Sequence, residues 1–174
     1  MDTVLVTGGC GYIGSHTCIS LLENNSKVLI IDSLVNSYKE TFIKIKEIVN
    51  KKGIDSNKIS FIKGDLRNKE WLDKIFVEHL RAKTPIKSVV HFAGLKSIES
   101  SINYPLEYWE TNISITLSLL SIMKKYQCFN LIFSSSASIY KPQENHLLTE
   151  SDLLEPYTPY GKTKLTIETI LEDL

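Results

Sequence analysis

Residues 3–17 read TVLVTGGCGYIGSHT, and no other stretch constrains the fold as tightly. A short β-favouring run enters a turn carrying Gly8, Gly9, Gly11 and Gly14, and the chain then turns helical. The rest of the sequence repeats that alternation. Apolar, strand-like runs occur at Val4–Val6, Val28–Ile31, Ile59–Ile62, Ser88–Phe92 and Leu131–Phe133. Between them lie stretches with apolar residues at helical spacing: 14–24, 38–51, 69–82 and 105–126. Strand–helix–strand repeats predict a parallel sheet covered on both faces, an α/β, doubly wound, Rossmann-like architecture. A length of 174 residues fits one domain, 1–174.

Composition excludes several classes of function. Lys+Arg and Asp+Glu are each 20, so the net charge is zero and nothing points to nucleic acid or an anionic membrane. No apolar run approaches the roughly 18 residues of a membrane span. Cys10, Cys18 and Cys128 are too few and too scattered for a disulfide framework or a zinc site, so no metal is expected. The expectation is a soluble, cytoplasmic protein.

The turn glycines address a specific problem. A pyrophosphate set against a helix N-terminus gains from backbone N–H groups and from the helix dipole. Gly8 permits the tight turn, a side chain at Gly11 would block the phosphates, and Gly14 lets helix and strand pack closely. The second strand ends at Asp32, at the interval of roughly 20 residues where an acid hydrogen-bonds the adenosine ribose. No Arg follows it to welcome a 2′-phosphate, which favours NAD over NADP. After the third strand comes Gly64-Asp65-Leu66, where Asp65 is placed to meet the adenine amino group and Leu66 the ring. After the fourth comes Phe92-Ala93-Gly94-Leu95-Lys96, whose small residues let a flat dinucleotide lie close. All these are carboxyl ends of strands, where open α/β sheets bind ligands.

The fifth strand leads into Ser134-Ser135-Ser136, which reads either as a loop cap or as a hydroxyl that holds a substrate. Farther on, Tyr160 and Lys164 are four residues apart on one helix face, in a helix that Thr158 caps and Pro159 begins. A phenol with an ordinary pKa near ~10 is a poor base at neutral pH. A nearby ammonium favours its ionised form. With Ser136 holding the reacting hydroxyl, this is an acid–base device for oxidising an alcohol as its carbon gives up hydride.

TGGCGYIGSHT, GDLRN, HFAGLKSIESS, PLEYW, FSSSASIY and PYGKTK resemble, in order and spacing, the extended short-chain dehydrogenase/reductase superfamily. Within it they resemble the UDP-glucose 4-epimerase (UDP-galactose 4-epimerase) family. The resemblance implies an isomerase of nucleotide-sugar metabolism that binds NAD tightly and reuses it. It implies cofactor contacts from Gly8, Gly11, Tyr12, Ile13, Gly14, Asp32, Asn36, Ser37, Asp65, Leu66, Phe92, Ala93, Gly94, Lys96, Tyr160 and Lys164. Tyr160, Lys164 and Ser136 carry the catalysis in this reading, and Lys96, Ser136 and Tyr160 meet a UDP-sugar. It further implies a homodimer through helices near 105–125 and 159–173.

Some positions depart from the family pattern: Thr111 where a polar amide is common, Ile115 for a common Gly, and Lys141 for a usual Gly after Tyr140. Five strands, where the fuller dinucleotide fold has six, lead to the expectation that the chain lacks a last strand and the C-terminal substrate domain. Two other readings remain open from the sequence. A nucleotide-sugar 4,6-dehydratase wants an acid/base pair near the strand-end serine, and SASIY at 136–140 offers no carboxylate. A non-catalytic NAD-binding module would have no need of Ser136, Tyr160 and Lys164.

Overall fold

The structure is a computed structural model and describes residues 2–143 and 147–174. The chain separates into two compact units, Met1–Ala93 with Ser118–Ser134 and Gly94–Leu117 with Ser135–Leu174.

The first unit holds one parallel sheet. Its strands are β1 (Thr3–Thr7), β2 (Lys27–Asp32), β3 (Ile59–Lys63), β4 (Ile86–His91) and β5 (Asn130–Phe133), in the order β3-β2-β1-β4-β5. Helices α1 (Tyr12–Glu23), α2 (Lys39–Lys51) and α3 (Lys69–Arg81) connect them, as the apolar spacing predicts. Alternation along the strands separates two buried faces. Val6, Val28, Ile30, Ile59 and Val90 pack with Cys18 and Leu22 of α1 and Ile45 and Val49 of α2. Leu5, Leu29, Ile31 and Val89 fill the opposite face and are fully buried or nearly so. The expected doubly wound α/β sheet is therefore present, with both faces covered.

Helix ends follow their local chemistry. The Asn68 side chain caps α3 by accepting from the Trp71 N–H, and Glu70 opens that helix while Arg81 closes it. In contrast, α1 starts at Gly11 with no side-chain cap and no acid in its first turn. Its first-turn donors are thus left for another partner.

The register aligns the functional ends of the strands. Thr7 pairs with Ile31 of β2 and with His91 of β4, and His91 pairs with Phe133 of β5. The next residue of each strand begins a sequence-predicted segment: Gly8, Asp32, Phe92 and Ser134.

The second unit contains α4 (Ile98–Asn103), the first part of α5 (Pro105–Lys125) and α6 (Pro159–Glu172). A 3-10 turn at Ala137–Ile139 packs with α6. Sequence spacing does not foretell α4, whose six residues are too few to show a period; Ser97 caps it by accepting from the Ser100 N–H. Thr158 caps α6 as expected, accepting from the Gly161 N–H at 3.1 Å, with Pro159 in the first turn.

Candidate functional site

In the first unit, packing accounts for three of the four turn glycines, Gly8, Gly9 and Gly14, and leaves Gly11 open. Gly8 has φ +69°, and a Cβ there would come within 2.7 Å of the Ala93 nitrogen. A Cβ at Gly14 would overlap the Gly8 carbonyl oxygen. Both positions exclude a side chain because the chain itself occupies the space. At Gly11, a Cβ would meet only the Gly8 oxygen, at 3.2 Å, and otherwise open space. The missing side chain at Gly11 keeps an approach from outside clear. Beside it, Tyr12 and Ile13 are exposed at the uncapped start of α1, and the Tyr12 ring lies edge-on to His16.

Asp32 is buried and already holds three donors. Oδ2 accepts from the Cys10 N–H at 2.9 Å, while Oδ1 accepts from the Leu34 N–H at 2.9 Å and the Ser37 hydroxyl at 2.8 Å. A carboxylate offers about four acceptor sites, so about one remains for an incoming hydroxyl. The bond to Cys10 pins the glycine turn to the end of β2. Leu34 sits at φ +60°, a conformation uncommon for a branched side chain, within this same loop. Ser37 is buried against Asp32, and Asn36 is exposed. Burial, then the Asp32 charge, pushes the Cys10 thiol up to about 12. Burial does the same for Cys18, also to about 12, so neither is a reactive thiol at neutral pH.

At the end of β3, Asp65 is clasped by Arg67, whose Nη2 donates to Oδ2 at 2.6 Å and whose Nε reaches both oxygens. Those bonds hold the Asp65 carboxyl below its usual range. Leu66 is buried. Gly64 lies under the Trp71 indole so closely that a Cβ there would overlap the ring. At the end of β4, the Phe92 N–H donates to the Thr7 carbonyl at 3.0 Å, and the Ala93 N–H donates to the Thr7 hydroxyl at 3.4 Å.

In the second unit, the structure brings Tyr160 and Lys164 together as predicted: the Lys164 ammonium lies 5.9 Å from the Tyr160 ring centroid. Lys164 is 5 % exposed, and burial lowers its pKa to about 8. Tyr108 meets the Tyr160 ring edge-on at 6.4 Å. Ser136 caps the 3-10 turn, its oxygen accepting from the Ser138 N–H at 3.2 Å and sharing a 2.8 Å bond with the Ser138 hydroxyl. The capping reading of that serine run therefore holds, and the bonds also fix where the Ser136 oxygen sits. A Cβ at Gly161 would overlap the Ser138 carbonyl, so this glycine lets α6 approach the serine turn. Ser135 Oγ is buried with no hydrogen-bond partner among the described residues.

Asn112, to which the sequence reading gives no role, organises this unit. Its side chain accepts from the Leu95 N–H at 2.8 Å and donates to the Leu95 carbonyl and to the Thr163 hydroxyl, each at 3.1 Å. One amide thus ties the segment carrying Gly94 and the exposed Lys96 to the helix carrying Tyr160 and Lys164. The available signal was an amide on the buried stripe of α5, with Tyr108, Ile115 and Thr116. Lys141, the departure after Tyr140, forms a 3.0 Å ion pair with Glu155.

The residues present fit a dinucleotide. A clear path at Gly11, an uncapped helix and an acceptor site left on Asp32 give the first unit capacity for an anionic, hydroxyl-bearing ligand. Among the described residues no cluster could hold a metal, and no helix is long and apolar enough to cross a membrane.

Fold and site together define an NAD-type doubly wound domain that carries a Tyr–Lys pair. The sequence profile of the NAD dependent epimerase/dehydratase family matches residues 4–174, and the chain belongs to that family. It is 45% identical, over 98% of its length, to the UDP-glucose 4-epimerase uge1 of Schizosaccharomyces pombe, covering 46% of that protein. Among solved structures it resembles the UDP-glucose-4-epimerase of Stenotrophomonas maltophila with bound NAD and formylated UDP-arabinopyranose. That likeness has TM-score 0.87 and 38% identity, and covers 99% of this chain and 48% of that one. The epimerase of Bifidobacterium longum, in complex with NAD+ and UDP, gives TM-score 0.86 and 36% identity, with 99% and 48% covered. The chain spans about half the length of the relatives it matches.

Proposed function

We propose that this chain is the NAD-binding part of an epimerase that inverts C4 of a UDP-hexose, UDP-glucose or UDP-galactose, through a 4-keto sugar. The observation that carries the reading is the buried Lys164 set against Tyr160 in a chain of this family. The relatives' bound NAD and UDP compounds support the choice of cofactor and substrate. When bound, NAD supplies a hydride acceptor that later returns the hydride. The chain's own residues do the rest. Gly8, Gly11 and Gly14 with the start of α1 hold the pyrophosphate, Asp32 takes a ribose hydroxyl, and Asp65 and Leu66 serve the adenine end. Tyr160 Oη takes the proton of the sugar 4-hydroxyl and gives it back after the ring has turned. Lys164 favours the ionised phenol by its charge. Ser136 would hydrogen-bond the reacting hydroxyl, and Lys96 would meet the substrate phosphates. SASIY lacks the carboxylate that a dehydratase would use. For the longer protein we place a homodimer in the cytoplasm; exposed Leu106 and Leu117 on α5 support the association.

The test is direct. The purified chain is denatured and any released nucleotide identified. NAD in near-equal amount is expected. Recovery of none, with added NAD failing to raise the melting temperature, overturns the cofactor reading. Half the relatives' length leaves much of the substrate without a grip, so UDP-galactose turnover by this chain alone is expected to be undetectable.

A further inference from the structure

We infer that His91 is a positioning residue for the cofactor cradle, acting through the Thr7 hydroxyl on the Ala93 peptide. The inference rests on the NAD reading above and deepens it. Thr7 and His91 are register partners at the ends of β1 and β4, and both are buried, at 0% and 1% exposure. Their neighbours on the same face, Leu5 and Val89, form the apolar rung expected inside a parallel sheet. The Thr7–His91 rung is polar instead. Its hydroxyl and Nδ1 are 2.6 Å apart. Burying two polar groups is costly unless they bond each other, and apolar side chains would fill the place without that cost.

The pair does more than satisfy itself. Thr7 Oγ1 also accepts from the Ala93 N–H, and Thr7 O accepts from the Phe92 N–H. A hydroxyl has one hydrogen and two lone pairs, so it keeps the Ala93 bond whether Nδ1 donates or accepts. His91 therefore selects the Thr7 rotamer that holds Ala93, and the Ala93 peptide in turn lies against the Gly8 turn, where even a Cβ would intrude. The Gly8 turn and the Phe92–Ala93 segment, both assigned to the cofactor, are thereby preset relative to each other before a ligand arrives.

The experiment compares four variants of the chain by calorimetric titration with NAD and by melting temperature. His91→Leu and Thr7→Val remove the bond; Thr7→Val is nearly isosteric and carries the test if His91→Leu does not fold. His91→Asn and Thr7→Ser keep a polar partner. We expect about tenfold weaker NAD binding in the first two, the loss of one hydrogen bond's worth of presetting. The second two should stay within about threefold of the parent. A fall in melting temperature with unchanged NAD affinity in folded Thr7→Val overturns the inference, since a merely structural bond does just that. If the parent chain takes up no NAD, the cofactor reading fails, and amide exchange without ligand decides. Faster exchange at Ala93 in Thr7→Val, with the β1–β4 ladder unchanged, supports positioning; equal rates at Ala93 overturn it.

Discussion

The first unit leaves main-chain groups open: a glycine turn and an uncapped helix start, fixed by the close approach of Gly14 to Gly8 and of Gly8 to Ala93. The second gathers side chains proposed for the chemistry: Tyr160, Lys164 and Ser136, fixed by the Thr158 cap, the Asn112 amide and the Ser138 turn. The difference teaches where each is vulnerable. A main-chain site is broken by adding atoms, whereas a side-chain site is broken by removing them, and added atoms cost the scaffold most where the chain itself already fills the space.

Gly14→Val should break the first unit most severely. Its branched side chain would have to displace backbone at Gly8 and Gly9, and about 3 kcal/mol or more of stability should go, read by urea denaturation. Gly11→Ala is the matching control. It should cost under about 1 kcal/mol in stability, while NAD affinity drops at least about tenfold because the Cβ points where the phosphates approach. Equal stability loss in the two variants would erase the distinction between packing glycine and ligand glycine.

For the second unit, Tyr160→Phe should leave the melting temperature and NAD uptake near the parent values. Introduced into a full-length relative at the matching position, it should lower turnover by about 10²–10⁴-fold, the usual worth of a positioned proton carrier. A substantial loss of melting temperature in this chain would show that the phenol serves the scaffold instead.

Lys164 sharpens the comparison differently, because its burial opposes folding. An unfolded lysine titrates near 10.5 and this one near 8. Between those values the unfolded chain binds more protons, so stability contributed by this group rises with pH across that window and is absent below it. Lys164→Met should stabilise the chain at pH 7 by about 3 kcal/mol and remove that part of the rise between pH 8 and 10.5, measured by denaturation at both ends. A destabilised variant would mean that the ammonium's partners outweigh its desolvation.

The smallest effect is expected at Arg67→Ala. The ion pair with Asp65 is about half exposed, so its loss should cost under about 1 kcal/mol at pH 7 and less once Asp65 is protonated.

Much of this was legible in the sequence. The β-runs and the amphipathic helices show their period because each buries one or two continuous faces. The turn glycines, Asp32 and the Tyr160–Lys164 spacing were legible because short-range geometry fixes them. What stayed hidden depends on partners distant in sequence. His91 reads as a polar residue in a strand until Thr7 is placed beside it, 84 positions away. Asn112 reads as an interruption of an apolar stripe until Leu95 and Thr163 supply its bonds. Asp32 is legible as an acid at the end of the second strand, yet the three internal donors that leave it roughly one open site are not.

Trp71 has a use beyond packing. Its indole covers Gly64, one residue before Asp65, on the segment assigned to the adenine end. The chain holds one other tryptophan, Trp109. With Trp109→Phe in place, the remaining emission comes from a ring in contact with that segment. The chain thus carries its own optical reporter, and a shift in Trp71 fluorescence on titration with NAD would report a ligand reaching the Gly64–Asp65 segment without any added label.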